Sequence, residues 1–168
     1  WLTLPADIDK FFTRPWTLVT HMFVHDTQNV WRILGNMIWL WAFGFILQDI
    51  TGNRQVIPLF IYGALAGAFG YVIAYNIIPP LKEHIATAMD FEASAGIMAI
   101  AIGTTTLAPK YRIFPMLNGG IPLWIITVLF LIIDFATIPV SNPGGFIAHV
   151  MGGLMGLFED WRGTLTLP

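Results

Sequence analysis

The chain has 168 residues, of which 56% are hydrophobic and only 11% charged, with a net charge of −2 and no cysteine. A soluble domain carries roughly 25% charged residues, so an ordinary water-facing surface is excluded, and so is a basic face for nucleic acid. Without cysteine there is no disulfide, no thiolate metal site and no cysteine nucleophile.

Residues 1–29 hold Pro5, Pro15 and a scatter of charges, then an apolar stretch over 16–24 too short to span a bilayer. Trp1, Phe11, Phe12 and Trp16 suit the membrane–water boundary. This segment reads as an interfacial loop, partly embedded. A membrane helix needs about 20 mostly apolar residues. Apolar runs place spans at 30–47, 56–75, 93–108, 122–137 and 144–158, with a turn over 139–143 between the last two. Five spans in one domain (1–168) predict an all-α, polytopic membrane protein, because an open sheet cannot satisfy its backbone in lipid. The absence of a starting methionine suggests a fragment. Lys10, Arg14, Arg32 and Lys82 fall on one side of such a bundle, and Arg54, Lys110, Arg112 and Arg162 on the other. That balance gives no orientation from the positive-inside rule.

Ionisable or nucleophilic groups inside spans are costly and point to function. Ser94 opens a short run, 93–108, which at about 1.5 Å per residue covers about 24 Å of an apolar layer about 30 Å thick. Such a helix must end below the membrane surface, leaving room for water over its first turn. A serine in a membrane helix more often bonds back to its own backbone. His149 is the one histidine deep within a span. It is either a bonded packing residue or a general base for a serine hydroxyl. Gly152 and Gly156 follow it on the same helical face, and Ala95, Ala99 and Gly103 form a matching stripe beside Ser94. Small residues at that spacing let helices approach closely, which could bring Ser94 and His149 together. Gly63 and Gly67 read as plain helix packing.

Asn36 and Arg32 lie one turn apart at the start of the first span. A side-chain amide there is either interhelical glue or a donor to an oxyanion. His21 and His25 would form a one-turn pair if helical, but there is no third ligand and no His-Glu-x-x-His. No metal or cofactor is expected. Asp134, late in its span, could be a third catalytic member; an interfacial or helix-end role is preferred.

These pieces together resemble the rhomboid family of intramembrane serine proteases. The order is Thr20-His21-Met22-Phe23-Val24-His25, then Gly35-Asn36-Met37-Ile38-Trp39, then Ala93-Ser94-Ala95, then Ala108-Pro109-Lys110-Tyr111-Arg112, then Ala148-His149-x-x-Gly152-x-x-x-Gly156. The likeness covers nearly the whole chain and is nearest to bacterial members. It implies a six-helix fold around a water-filled cavity, the first helix being absent here. It implies a serine–histidine dyad without an acid, Ser94 as nucleophile and His149 as base. Asn36 and the Ser94 N–H would serve the oxyanion. It also implies a multi-pass protein of the bacterial inner membrane that cleaves transmembrane protein substrates.

Three departures stand out. Glu92 occupies the place of the glycine in the family's Gly-x-Ser motif. Arg32 stands where a histidine often precedes the oxyanion asparagine, and can donate there without titrating. The segment from His25 to Asn36 is slightly long. The leading reading is a protease. A rhomboid-like protein that binds membrane helices without cutting is favoured by Glu92 and opposed by the retention of Ser94, Asn36 and His149. A transporter using Asp134, His149 and Glu92 as a proton path is third, since no pair of broken helices occurs in matching halves.

Overall fold

The computed structural model describes residues 1–25, 29–91, 93–116, 119–137 and 143–165. It is dominated by helices, and the long ones follow the apolar runs. Helix α1 (Ile8–Thr13) is capped by Asp7, whose carboxylate accepts from the Asp9 N–H at 2.9 Å. Helix α2 (Thr17–Thr20) runs into a 3₁₀ turn, His21–Phe23. Helix α3 (Val30–Thr51) starts at Asn29, whose side chain accepts from the Arg32 N–H at 3.2 Å. It passes the expected end at 47, because Gln48 and Asp49 continue the backbone ladder until Gly52, whose φ of 79° closes it. Helix α4 (Val56–Ile77) stops before Pro79, which opens the one-turn α5 (Pro79–Lys82). Then come α6 (Ser94–Leu107), α7 (Leu123–Thr137) and α8 (Pro143–Trp161). The turn expected over 139–143 lies outside the described residues apart from Pro143, as does Glu92.

The chain is not purely helical. Strand β1 (Leu4–Pro5) pairs antiparallel with β2 (Met89–Asp90), Leu4 opposite Asp90. Strand β3 (Arg112–Ile113) pairs with β4 (Ile121–Pro122). Two-residue strands carry no readable alternation, so the sequence pattern could not announce them. The N-terminal segment is also more ordered than a loop. Leu4, Ala6, Thr17 and His21 are buried, and the Asn76 side chain donates to the Ala6 carbonyl at 2.9 Å.

Helix α6 is the centre of the bundle, with every residue from 94 to 101 buried. It lies between α4 and α8, and small residues make that possible. A methyl group on Gly67 would sit 2.5 Å from the Ala95 Cβ and 2.9 Å from the Ala148 carbonyl oxygen. One on Gly152 would collide with the Ala95 carbonyl, and one on Gly156 with that of Ala99. The two stripes therefore meet as expected, and Gly63 and Gly67 pack α4 onto the same helix. The outer faces are different: Trp41 and Phe45 on α3, Ile57 and Ile73 on α4, Ile132 on α7 and Leu154 on α8 are all exposed. A continuous exposed apolar surface of this kind needs lipid or protein against it. Among the described residues, α3 and α4 are long and apolar enough to cross a membrane by length and composition, while α6 and α7 are apolar but shorter.

Candidate active site

Four polar side chains from four helices are buried toward one end of the bundle. They are Ser94 (6% exposed), His149 (3%), Asn36 (8%) and Asp134 (9%). Ser94 is the first residue of α6, so its N–H belongs to the first turn, which has no acceptor within the helix. His149 lies in the second turn of α8, three residues before the Gly152 contact with Ala95. Gly67 touches both Ala95 and Ala148, which makes the residue after the serine and the residue before the histidine near neighbours. No hydrogen bond joins Ser94 to His149 among the described residues. Such bonds are often long in an empty site and tighten when substrate binds.

The His149 ring is held from α7. Its Nδ1 pairs with Asp134 Oδ2, and its face lies 6.3 Å from the ring of Phe135, centre to centre. The helix-end role preferred for Asp134 is therefore corrected: the side chain turns inward to the histidine. The resemblance implies a dyad without an acid, and in this chain a carboxylate lies against the histidine ring.

Asn36 and Arg32 line one cavity of about 200 Å³, together with Gly35, Trp39, Phe130 and Asp134. The Asn36 Nδ2 is a buried donor with no partner among the described residues. An unsatisfied buried donor costs about 1–3 kcal/mol, and in a reaction site such a group is ready for an incoming acceptor. Arg32 is half-buried one turn above it.

His21 and His25 do not share a helical face, because the 3₁₀ turn ends at Phe23 and Val24 is extended. His21 Nδ1 donates to the Thr17 carbonyl at 3.0 Å. Burial pushes its imidazole below the ordinary range, against the pull of the Asp90 carboxylate. His25 is likewise pushed down by burial. No group of three metal-binding side chains occurs among the described residues.

Asp90 escaped the sequence reading. It sits at the end of β2, four residues before Ser94, and burial pushes its carboxyl up against the opposing influence of His21, His149 and Arg32. Its one sequence signal is an acid so close to the serine motif, and that signal was masked by Glu92.

The Rhomboid domain family matches residues 13–163. Rhomboid protease GlpG of Yersinia pseudotuberculosis is 25% identical over 175 aligned residues, covering 98% of this chain and 54% of that protein. The chain thus spans about half the length of the curated relative it matches.

Proposed function

The chain belongs to the rhomboid family, a family of helical membrane proteins, and we propose that it is an intramembrane serine endopeptidase with Ser94 as nucleophile and His149 as base. The observation that supports this reading is the close packing of α6 on α8, where Gly152 sits against the Ala95 carbonyl, one residue after a buried serine and three after a buried histidine.

In the proposed reaction the Ser94 Oγ attacks a substrate carbonyl while its proton passes to His149 Nε2. The developing oxyanion takes hydrogen bonds from the Ser94 N–H and from Asn36 Nδ2, with Arg32 as a further donor across the cavity. Preorganised donors of this kind stabilise charge without reorganising during the reaction. The imidazolium then gives its proton to the leaving amine, and water repeats the sequence on the acyl-enzyme.

The five long helices α3, α4, α6, α7 and α8 serve as spans of a single domain, with residues 1–29 at the interface. Their exposed apolar faces support this. Helix α6 covers about 21 Å at about 1.5 Å per residue, less than the apolar layer, so its first turn opens into a wet depression within the membrane plane. The substrate is a transmembrane segment able to unwind locally, since a helix hides its carbonyls in internal bonds. The location that follows is the inner membrane of a bacterium.

The second reading is a helix-binding protein that does not cut. Glu92 in the place of the motif glycine favours it. Labelling of the detergent-solubilised protein by a fluorophosphonate, with Ser94→Ala as control, separates the two. Labelling that requires Ser94 supports the protease, and a folded protein that does not react leaves the binder.

A further inference from the structure

The segment that joins α6 to α7 is a hairpin with apolar residues beyond its ladder. Arg112 and Ile113 pair with Pro122 and Ile121, and the Arg112 Nη1 donates to the carbonyls of Gly119 and Gly120 at 3.2 and 2.9 Å. Past the ladder, Phe114, Pro115 and Met116 are all exposed, Phe114 at 63% and Met116 at 96%. Turns are ordinarily polar, and three adjacent exposed apolar residues need something to cover them. Phe114 also has a φ of 52°, a region that bulky side chains rarely adopt. We propose that this hairpin is a membrane foot: Phe114, Pro115 and Met116 enter the margin of the bilayer, and Lys110 and Arg112 bind the phosphates of anionic lipids.

Position and charge select lipid as the occupant. The Leu123 N–H donates to the Tyr111 carbonyl at 2.8 Å, so the base of the hairpin abuts the first turn of α7. The face of α7 that starts there is exposed and apolar, with Trp124, Val128, Leu129 and Ile132. Trp124 suits the membrane–water boundary, which sets the hairpin base at that level. Phe114 follows Tyr111 by three residues, so at about 3.3 Å per residue its backbone stays within about 10 Å of the boundary. The charges are of one sign. No acidic residue stands between Glu92 and Asp134, while Lys110, Arg112 and, in the α3–α4 turn, Arg54 are exposed. Asp49 of α3, which does face the hairpin, is bonded to the Tyr111 hydroxyl, and Glu159 of α8 is buried beside Arg162. Apolar residues flanked by cations are the pattern of segments that lie in the interface of anionic membranes. A second copy fits less well, since the cations of two such hairpins would face each other. The inference needs only a membrane and does not depend on Ser94 being a nucleophile.

The chain has no cysteine, so Met116→Cys supplies a single thiol for an environment-sensitive fluorophore. The labelled chain is reconstituted in vesicles of phosphatidylcholine, alone or mixed with phosphatidylglycerol. Emission, quenching by nitroxide-bearing lipids and the thermal midpoint are read. The expected result is blue-shifted emission and strong quenching in the mixed vesicles, both weakened in neutral vesicles and by high salt. Lys110→Gln should lower the ratio of inserted to withdrawn label by about five-fold. Phe114→Asn should also release the label while keeping the hairpin, because asparagine accepts a positive φ. Equal quenching in neutral and mixed vesicles overturns the recognition of headgroups. No quenching in either overturns the foot altogether. Energy transfer between labelled copies that grows with protein density, without quenching by lipid, assigns the hairpin to self-association and overturns it as well. If Phe114→Asn does not fold, Lys110→Gln decides.

Discussion

Gly67 stands against both Ala95 and Ala148, one helix touching the neighbour of the serine and the neighbour of the histidine at the same point. The register of the proposed catalytic pair is therefore set by a residue with no chemistry of its own. Gly67→Ala should lower the thermal midpoint, with a cost of about 1–3 kcal/mol for overpacking, and should reduce cleavage beyond what the loss of folded protein explains. Gly44→Ala is the control, since a methyl group there meets only the Val56 side chain, at an ordinary 3.6 Å. Equal effects at the two positions would show that the contact does not set the register.

Asn36→Ala should lower kcat by about 10²-fold with little change in KM, because a donor to the developing oxyanion acts mainly in the transition state. Arg32→Gln should cost less, its side chain being only half-buried. Steady-state kinetics on a transmembrane reporter measures both. A rise in KM alone for Asn36→Ala would assign the amide to substrate binding.

The long helices were legible because each is a mostly apolar run, and the meeting of Ala95 and Ala99 with Gly152 and Gly156 was legible because small residues at helical spacing mark close approach. The Asp134–His149 pair was not. Helical periodicity tells which face of a helix a residue is on, but not which face of the next helix it meets across a turn. Asp90 was hidden for a similar reason: its surroundings are built by β1 and the His21 turn, both more than sixty residues away in sequence. Asn36 showed as a polar residue in an apolar span, yet only the folded chain reveals that its donor has no partner among the described residues.

Glu92 lies outside the described residues, and the expectation for it comes from its position two residues before Ser94. Glu92→Gly should increase hydrolysis of a transmembrane reporter, since it removes bulk and a negative charge that opposes a developing oxyanion. Ser94→Ala should abolish cleavage in both backgrounds. A glutamate form that already cleaves well and does not improve with glycine would disprove this account.

The Tyr111 hydroxyl donates to Asp49 Oδ2 at 2.8 Å and so pins the segment after α6 to the end of α3. That bond, with some burial, pushes the phenol above its ordinary value of 10.0. The stabilisation is complete below about pH 10 and is lost as pH rises through the raised value, where a phenolate would face a carboxylate. Its size is under about 1 kcal/mol for a bond open to solvent. Thermal midpoints from about pH 9 to 11.5 should fall less steeply for Tyr111→Phe than for the wild type. Identical slopes would show that this bond contributes nothing.

The ladder between Leu4–Pro5 and Met89–Asp90 has a consequence for handling the protein. The Lys10 ammonium donates to the Ala86 carbonyl at 2.7 Å and the Ala6 N–H to the Ala88 carbonyl at 3.1 Å. The outermost residues thus act as a clasp on the stretch that delivers the chain to Ser94. Trimming the first six residues should leave the helices inserted in the bilayer but unfasten the approach to the serine, so that the shortened protein is recovered in membranes while its fluorophosphonate labelling slows.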